Sequence, residues 1–273
     1  MDFFELDLSI DADFAEILVA ELAEVGFDSF VDKEDGIIAY IPEELFQEQD
    51  VKLLLEKYAS KVSLHYSISK VERQNWNKEW ESNFHPIDVD GKVYIRASFH
   101  DPAPSSYSHE IIIVPKMSFG TGHHETTSQM IALQLDIDHK GKSVLDVGTG
   151  TGILAIMAKQ LGAADVHSFD IDEWSVENGK ENYELNGVED ITIDQGTIRT
   201  QNIKEYDIVL ANINRNILLD EIPEYAKFSK DYLLVSGFYT HDIQDIERVA
   251  EENGFKKVKE ISKNNWAAVV FRK

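Results

Sequence analysis

The 273-residue sequence contains no cysteine, so disulfide frameworks and thiolate zinc sites are excluded. No stretch approaches the roughly eighteen consecutive apolar residues needed to cross a bilayer. The opening residues, Met1-Asp2-Phe3-Phe4-Glu5, lack the basic region and apolar stretch of a secretory signal. A soluble, cytoplasmic protein with no membrane partner is expected. Basic residues are scarce as well: 26 Lys and Arg stand against 50 Asp and Glu, a net charge of −24. Such a chain offers no broad phosphate-neutralising surface, which argues against direct nucleic-acid binding and in favour of a cationic partner. Two enzymatic signatures are also missing. No GK[ST] follows the glycine-rich segment, which excludes a P-loop, and Val235-Ser236-Gly237 lacks the leading glycine of a GxSxG nucleophile elbow.

What is present reads as two domains, because the chain is long enough to bury two cores and its 43% hydrophobic and 28% charged residues are globular values. The acidity is uneven. Residues 1–60 carry seventeen Asp or Glu and three Lys, a net of −14. A solvated surface and a docking surface for a cationic protein both account for it at this point.

Residues 1–71 have the order βαββαβ of a small ferredoxin-like α+β domain. Phe3 to Ile10 alternates as a strand, Asp13 to Val25 sets Phe14, Ile17, Leu18, Leu22 and Val25 on one helical face, and Gly26 can close that helix. Ser29 to Val31 and Gly36 to Ile41 read as a strand pair, Glu44 to Tyr58 as a helix, and Lys61 to Val71 as a strand. Residues 72–90 read as a linker helix carrying Trp76 and Trp80, stopped by Pro86. From residue 91 to 273 strands and helices alternate, which implies a mainly parallel sheet covered on both faces. The last two strands, near Lys257 to Ile261 and Ala267 to Phe271, have no helix between them and should form an antiparallel hairpin at one edge.

Four segments carry chemistry. In Val144-Leu145-Asp146-Val147-Gly148-Thr149-Gly150-Thr151-Gly152 an apolar strand enters a glycine-rich turn and then a helix, an arrangement that brings bare backbone and helix N-terminal amides to a ligand. Ile153 stands where a dinucleotide fingerprint would place its third glycine, so the pattern suits a cofactor without a pyrophosphate. Asp170 ends the next strand and offers two acceptor oxygens to ribose hydroxyls, whereas Asp172 is better placed to cap the following helix. Asp207 to Asn214 delivers Asn212 to the carboxyl end of the sheet, where an amide oxygen can accept from an amine; an isolated Asn there also reads as a turn residue. Phe119-Gly120-Thr121-Gly122-His123-His124-Glu125-Thr126-Thr127 could fold over a cofactor on glycine hinges. Ser128 stands where a metal-binding His124-Glu125 pair would need a second His, so no metal is expected.

In order and spacing these segments resemble the PrmA-type methyltransferases, which modify protein eleven of the large ribosomal subunit. The marks are Asn75-Trp76-Asn77-Lys78-Glu79-Trp80, Phe84-His85-Pro86-Ile87, Phe119-Gly120-Thr121-Gly122 with Thr126-Thr127, Asp146-Val147-Gly148 with Gly150 and Gly152, Asp170-Ile171-Asp172 and Ala211-Asn212-Ile213. The resemblance covers nearly the whole chain and implies a Rossmann-like class I catalytic domain binding S-adenosylmethionine. It implies cofactor contacts at Thr127, Gly148, Asp170 and Asn212, supported by Phe119, Gly120, Gly150 and Gly152, with Asn212 as the catalytic residue. It further implies methylation of the ribosomal protein on its α-amine and on lysine ε-amines, docking by the acidic first domain, and a monomer. The family usually has proline where Glu125 stands, which bears on the rigidity of that loop. Alternative readings are a class I methyltransferase for another protein or small amine, a nicotinamide oxidoreductase, and a silent binding module.

Overall fold

A computed structural model describes residues 3–33, 35–59, 61–71, 84–116, 118–201 and 204–273. The chain divides into two compact units, 1–83 and 84–273. Most of the expected linker helix, including Trp76 and Trp80, lies outside the described residues. Its last part is different from expectation: Ile87–Val89 is a strand of the larger unit, pairing antiparallel with Val93–Arg96.

The smaller unit contains β1 (Phe3–Ser9), α1 (Ala12–Glu24), β2 (Ser29–Lys33), β3 (Gly36–Pro42), α2 (Glu48–Ala59) and β4 (His65–Val71). The sheet order is β2-β3-β1-β4, antiparallel throughout, as a ferredoxin-like fold requires. Alternation sends Leu6, Leu8, Ile37, Ala39 and Ile41 to one face, where Leu18 and Leu22 of α1 and Val51 and Leu55 of α2 bury them. The helices are tied by Glu21, whose Oε1 accepts from both Lys57 Nζ and the Tyr58 hydroxyl at 2.6 Å.

The larger unit opens with a three-stranded sheet, β5 (Ile87–Val89), β6 (Val93–Arg96) and β7 (His109–Ile112). It continues with α3 (Glu125–Gln134), β8 (Ser143–Val147), α4 (Ile153–Gln160), β9 (Asp165–Asp170), α5 (Glu173–Leu185), β10 (Thr192–Gln195) and β11 (Tyr206–Asn212). Then come α6 (Arg215–Phe228), β12 (Ser229–Tyr239), α7 (Ile243–Glu252), β13 (Lys256–Lys263) and β14 (Trp266–Arg272). Seven of these strands form one sheet ordered β10-β9-β8-β11-β12-β14-β13, parallel except for β14 against both neighbours. The hairpin is at the edge as expected, with its second strand inside. Residues 267–271 of β14 are buried on both faces, whereas β13 has no buried residue and carries Lys256, Lys257, Lys259 and Lys263, a composition that suits an edge. Two core clusters flank the sheet, one under α3 and α4 and the other under α6 and α7. Among the described residues no helix is long and apolar enough to cross a membrane.

Candidate active site

The strand order reverses at β8: β9 lies on one side of it and β11 on the other, so a crevice opens beyond their carboxyl ends. A cavity of about 530 Å³ occupies it. Phe119, Gly148, Gly150, Asp170 and Asn212 line this cavity together, although they come from four separate stretches of chain.

The glycine turn is held from two directions. Gly148 and Thr149 N–H both donate to the Phe169 carbonyl at 3.0 Å, and Gly150 N–H donates to Asp170 Oδ2 at 2.9 Å. On the other side Thr151 N–H donates to the Phe119 carbonyl at 2.9 Å and Thr151 Oγ1 to the Gly120 carbonyl at 2.6 Å. A Cβ on Gly150 would lie 2.2 Å from the Phe119 oxygen, at a φ of +56°, so only glycine admits this contact. Asn182 joins the same parts, donating to the Thr151 carbonyl at 2.8 Å and accepting from Val114 N–H at 2.9 Å.

Asp170 and Asp172 divide the two functions considered for them. Asp172 Oδ1 accepts from Trp174 N–H at 3.0 Å and caps α5. Asp170 accepts one backbone amide on each oxygen, from Gly150 and from Asp172, which fixes the carboxylate and leaves one further acceptor position per oxygen toward the cavity. Asn212 and Asn214 divide likewise. Asn214 Oδ1 caps α6 by accepting from Ile217 N–H at 3.1 Å, while Asn212 Oδ1 is buried with no partner among the described residues. An unsatisfied buried amide oxygen at a cavity wall is a binding group awaiting its donor.

Thr127, Gly120 and Gly152 do not line the cavity. Thr127 is fully buried on α3 with Oγ1 unpartnered, and Gly120 holds Thr151 through its carbonyl. Gly152 opens α4 at a φ of +82°, and a Cβ there would meet the Tyr183 ring at 2.4 Å, so its glycine serves packing. His124 Nδ1 accepts from Thr126 N–H at the start of α3, and Glu125 accepts from Asn264 Nδ2 at 2.7 Å. Among the described residues no group of three or more His, Asp or Glu could hold a metal.

Sequence reasoning missed Trp266, Ile217, Glu221, Thr197 and Ile198, all on the cavity wall. The Asn264-Asn265 pair before Trp266 was a legible turn signal; both residues have positive φ, at 50° and 67°. It also gave no role to Asp146, which is 1% exposed behind the turn. Thr149 Oγ1 donates to Asp146 Oδ2 at 2.6 Å, and Oδ1 has no partner. Burial pushes the Asp146 carboxyl up to about 7, with the nearby Asp170 charge adding to the effect.

A seven-stranded sheet with a reversed final pair, a glycine turn after β8, an acid after β9 and a free amide after β11 define an S-adenosylmethionine-dependent methyltransferase of class I. A family model described as Ribosomal protein L11 methyltransferase (PrmA) matches residues 13–273. A ribosomal protein L11 methyltransferase of Bacteroides fragilis is 44% identical over 261 residues, covering 94% of this chain and 93% of the relative. One from Chlorobaculum parvum is 34% identical over 278 residues, covering 97% and 95%. The crystal structure of ribosomal protein L11 methylase from Lactobacillus delbrueckii subsp. bulgaricus superposes with a TM-score of 0.65 at 30% identity, covering 70% of this chain and all of that one. The chain belongs to the ribosomal protein L11 methyltransferase (PrmA) family.

Proposed function

We propose that this enzyme methylates ribosomal protein L11 on its amino-terminal α-amine and on lysine ε-amines. The substrate follows the relatives' name and agrees with the acidity of the first sixty residues, which suits a cationic partner. The observation that carries the chemistry is the unpartnered Asn212 Oδ1 at the cavity wall. The cavity fits S-adenosylmethionine: its volume is that of a small-molecule site, its floor is bare glycine backbone, and an immobilised carboxylate stands at one end. Bound there, S-adenosylmethionine supplies an electrophilic methyl group on a sulfonium sulfur.

Asp170 holds the ribose hydroxyls, Gly148 and Gly150 admit the ligand close to the backbone, and Phe119 covers it. Thr127 supports the wall from behind on α3, and Asn212 orients the amine or the methionine end. The chain supplies position and exclusion of water. Deprotonating a lysine of reference pKa near 10.4 costs about 4 kcal/mol near pH 7.4, against about 0.5 kcal/mol for an α-amine near 7.8, so the α-amine reacts more readily. The reading includes a cytoplasmic monomer with no nucleic-acid or membrane partner.

Intact-protein mass spectrometry of L11 after incubation with the enzyme and S-adenosylmethionine tests it: mass gains in multiples of one methyl are expected, and an unchanged mass rejects the substrate. Asp170→Ala should raise the KM for S-adenosylmethionine about tenfold or more, through the loss of charge-assisted hydrogen bonds. An unchanged KM removes Asp170 from the ribose. If the acidic unit docks L11, raising salt from about 0.05 to about 0.3 M should increase the KM for L11 several-fold with little change in kcat. Steady-state kinetics showing a salt-independent KM would contradict docking by charge.

A further inference from the structure

Of the aromatic side chains on the cavity wall, only Phe119 has a part in the function described so far. Phe119, His124 and Trp266 all line the cavity. Their rings form a continuous series: Phe119 to His124 at 5.4 Å, His124 edge-on to Trp266 at 4.7 Å, and Tyr239 stacked on Trp266 at 4.1 Å between centroids. Sheet order places this series. Asp170 stands on the β9 side of the glycine turn and Asn212 on the β11 side, with β12 and β14 beyond Asn212. With the ribose at Asp170, as in the proposed function on which this inference rests, the reacting end of the donor points toward Asn212. The rings then face the space left for the acceptor amine.

Trp266 is held there by three hydrogen bonds, one to Thr240 and two to α3. The Asn264-Asn265 turn sets the hairpin, and Thr240 N–H donates to the Asn265 carbonyl at 2.8 Å. Gln129 Nε2 donates to the Trp266 carbonyl at 3.1 Å, and Asn264 Nδ2 donates to Glu125 Oε1 at 2.7 Å. Glu125 thereby clasps the hairpin that carries Trp266 to the helix start that carries His124. Proline at position 125 could not make this contact.

An aromatic face attracts cations, and it favours those that water holds weakly. A primary ammonium keeps three N–H donors in water, whereas each added methyl removes one and spreads the charge over apolar surface. We propose that Trp266, positioned by the Glu125–Asn264 clasp, is an acceptor-side wall that retains partly methylated ammonium ions, so that one amine receives several methyl groups in a single encounter. In each round the amine lone pair forms the new N–C bond while the S–C bond breaks and its electrons stay on sulfur as a neutral thioether. After the first and second additions the resulting ammonium releases one proton to water and the spent donor exchanges for a fresh one; a third addition ends the series at a quaternary ammonium, which has no proton to lose.

Calorimetry in the presence of S-adenosylhomocysteine tests the wall directly, with Nα-acetyl-Nε-trimethyl-lysine methylamide and its unmethylated counterpart as probes. The wild type should bind the trimethylated probe about fivefold tighter or more. Trp266→Leu should bring the ratio near one, Trp266→Phe should keep part of it, and Glu125→Ala should lower it. With L11 in excess and at early times, the wild type should give multiply methylated product beside unmodified protein, and Trp266→Leu mainly single additions. A wild-type ratio near one, or an unchanged product ladder in Trp266→Leu, overturns the proposal. Failure of the wild type to methylate L11 at all rejects the substrate instead, and the probe comparison still reads the wall.

Discussion

Asn212→Ala is expected to lower kcat about 100-fold, the scale on which enzymes lose rate when one positioned hydrogen-bonding group is removed from a reacting centre. The size of the effect follows from the burial of Oδ1 without a protein partner. Among the described residues nothing uses this oxygen, and Asn214 makes the cap on α6, so truncation should cost little stability. Two measurements divide the roles open to it. If Asn212 orients the acceptor, kcat falls while the dissociation constant for S-adenosylmethionine changes less than about threefold; if it holds the methionine end, that constant rises with the loss of rate. Full turnover with unchanged affinity would make Asn212 a structural residue.

Asn212→Asp sharpens the comparison. It keeps an acceptor oxygen in place but adds a negative charge beside the amine, which favours the protonated, unreactive form. Its rate deficit should be largest near neutral pH and shrink as pH rises toward the amine pKa, whereas the alanine variant should stay depressed at every pH. Parallel pH–rate profiles for the two variants would show that the amide does not contact the nitrogen.

The glycine turn, Asp170 and Asn212 were legible because each needs a residue type that local sequence exposes: bare backbone at Gly150, a carboxylate one strand later, an amide just past a buried strand. Their convergence follows from strand alternation alone. The Trp266 wall was not legible in the same way, because it depends on β14 pairing inside β13, and its neighbour His124 is more than 140 positions away. The start of α3 is not announced locally, since His124 supplies the cap and histidine is not among the strongly preferred capping residues. Similarly, α2 begins at Glu48, four residues later than periodicity placed it. Phe46 stacks on Phe4 of β1 at 4.0 Å, a tertiary contact that withdraws residues 44–47 from the helix. The partner of Glu125, Asn264, lies 139 positions away.

Asp146→Asn should make the enzyme more resistant to unfolding at pH 8 than at pH 5, relative to the wild type at the same pH. Burial raises the folded-state carboxyl to about 7, against about 3.9 in the unfolded chain. The native state therefore binds more protons than the unfolded state across that interval, and the contribution of this group to stability is full below the unfolded value and is lost as pH rises toward 7. Between pH 5 and 8 the loss amounts to about 3 kcal/mol, an upper figure because a buried carboxylate draws in compensating groups. The asparagine variant imitates the protonated form and lacks this dependence. It keeps an acceptor for the Thr149 hydroxyl, while its amide adds a donor beside the unpartnered Oδ1 position, an offset that is the same at both pH values. Thermal unfolding at the two pH values isolates the titration from that offset. The difference in Tm between variant and wild type should shift in the variant's favour by roughly 6 to 12 °C from pH 5 to pH 8. A difference independent of pH would mean that Asp146 titrates in the ordinary carboxylate range, and that the turn stabilises its charge despite burial. Asp170→Ala supplies the converse check: removing the neighbouring charge should lower the Asp146 value and flatten the wild-type slope in part, because desolvation, the larger cause, remains.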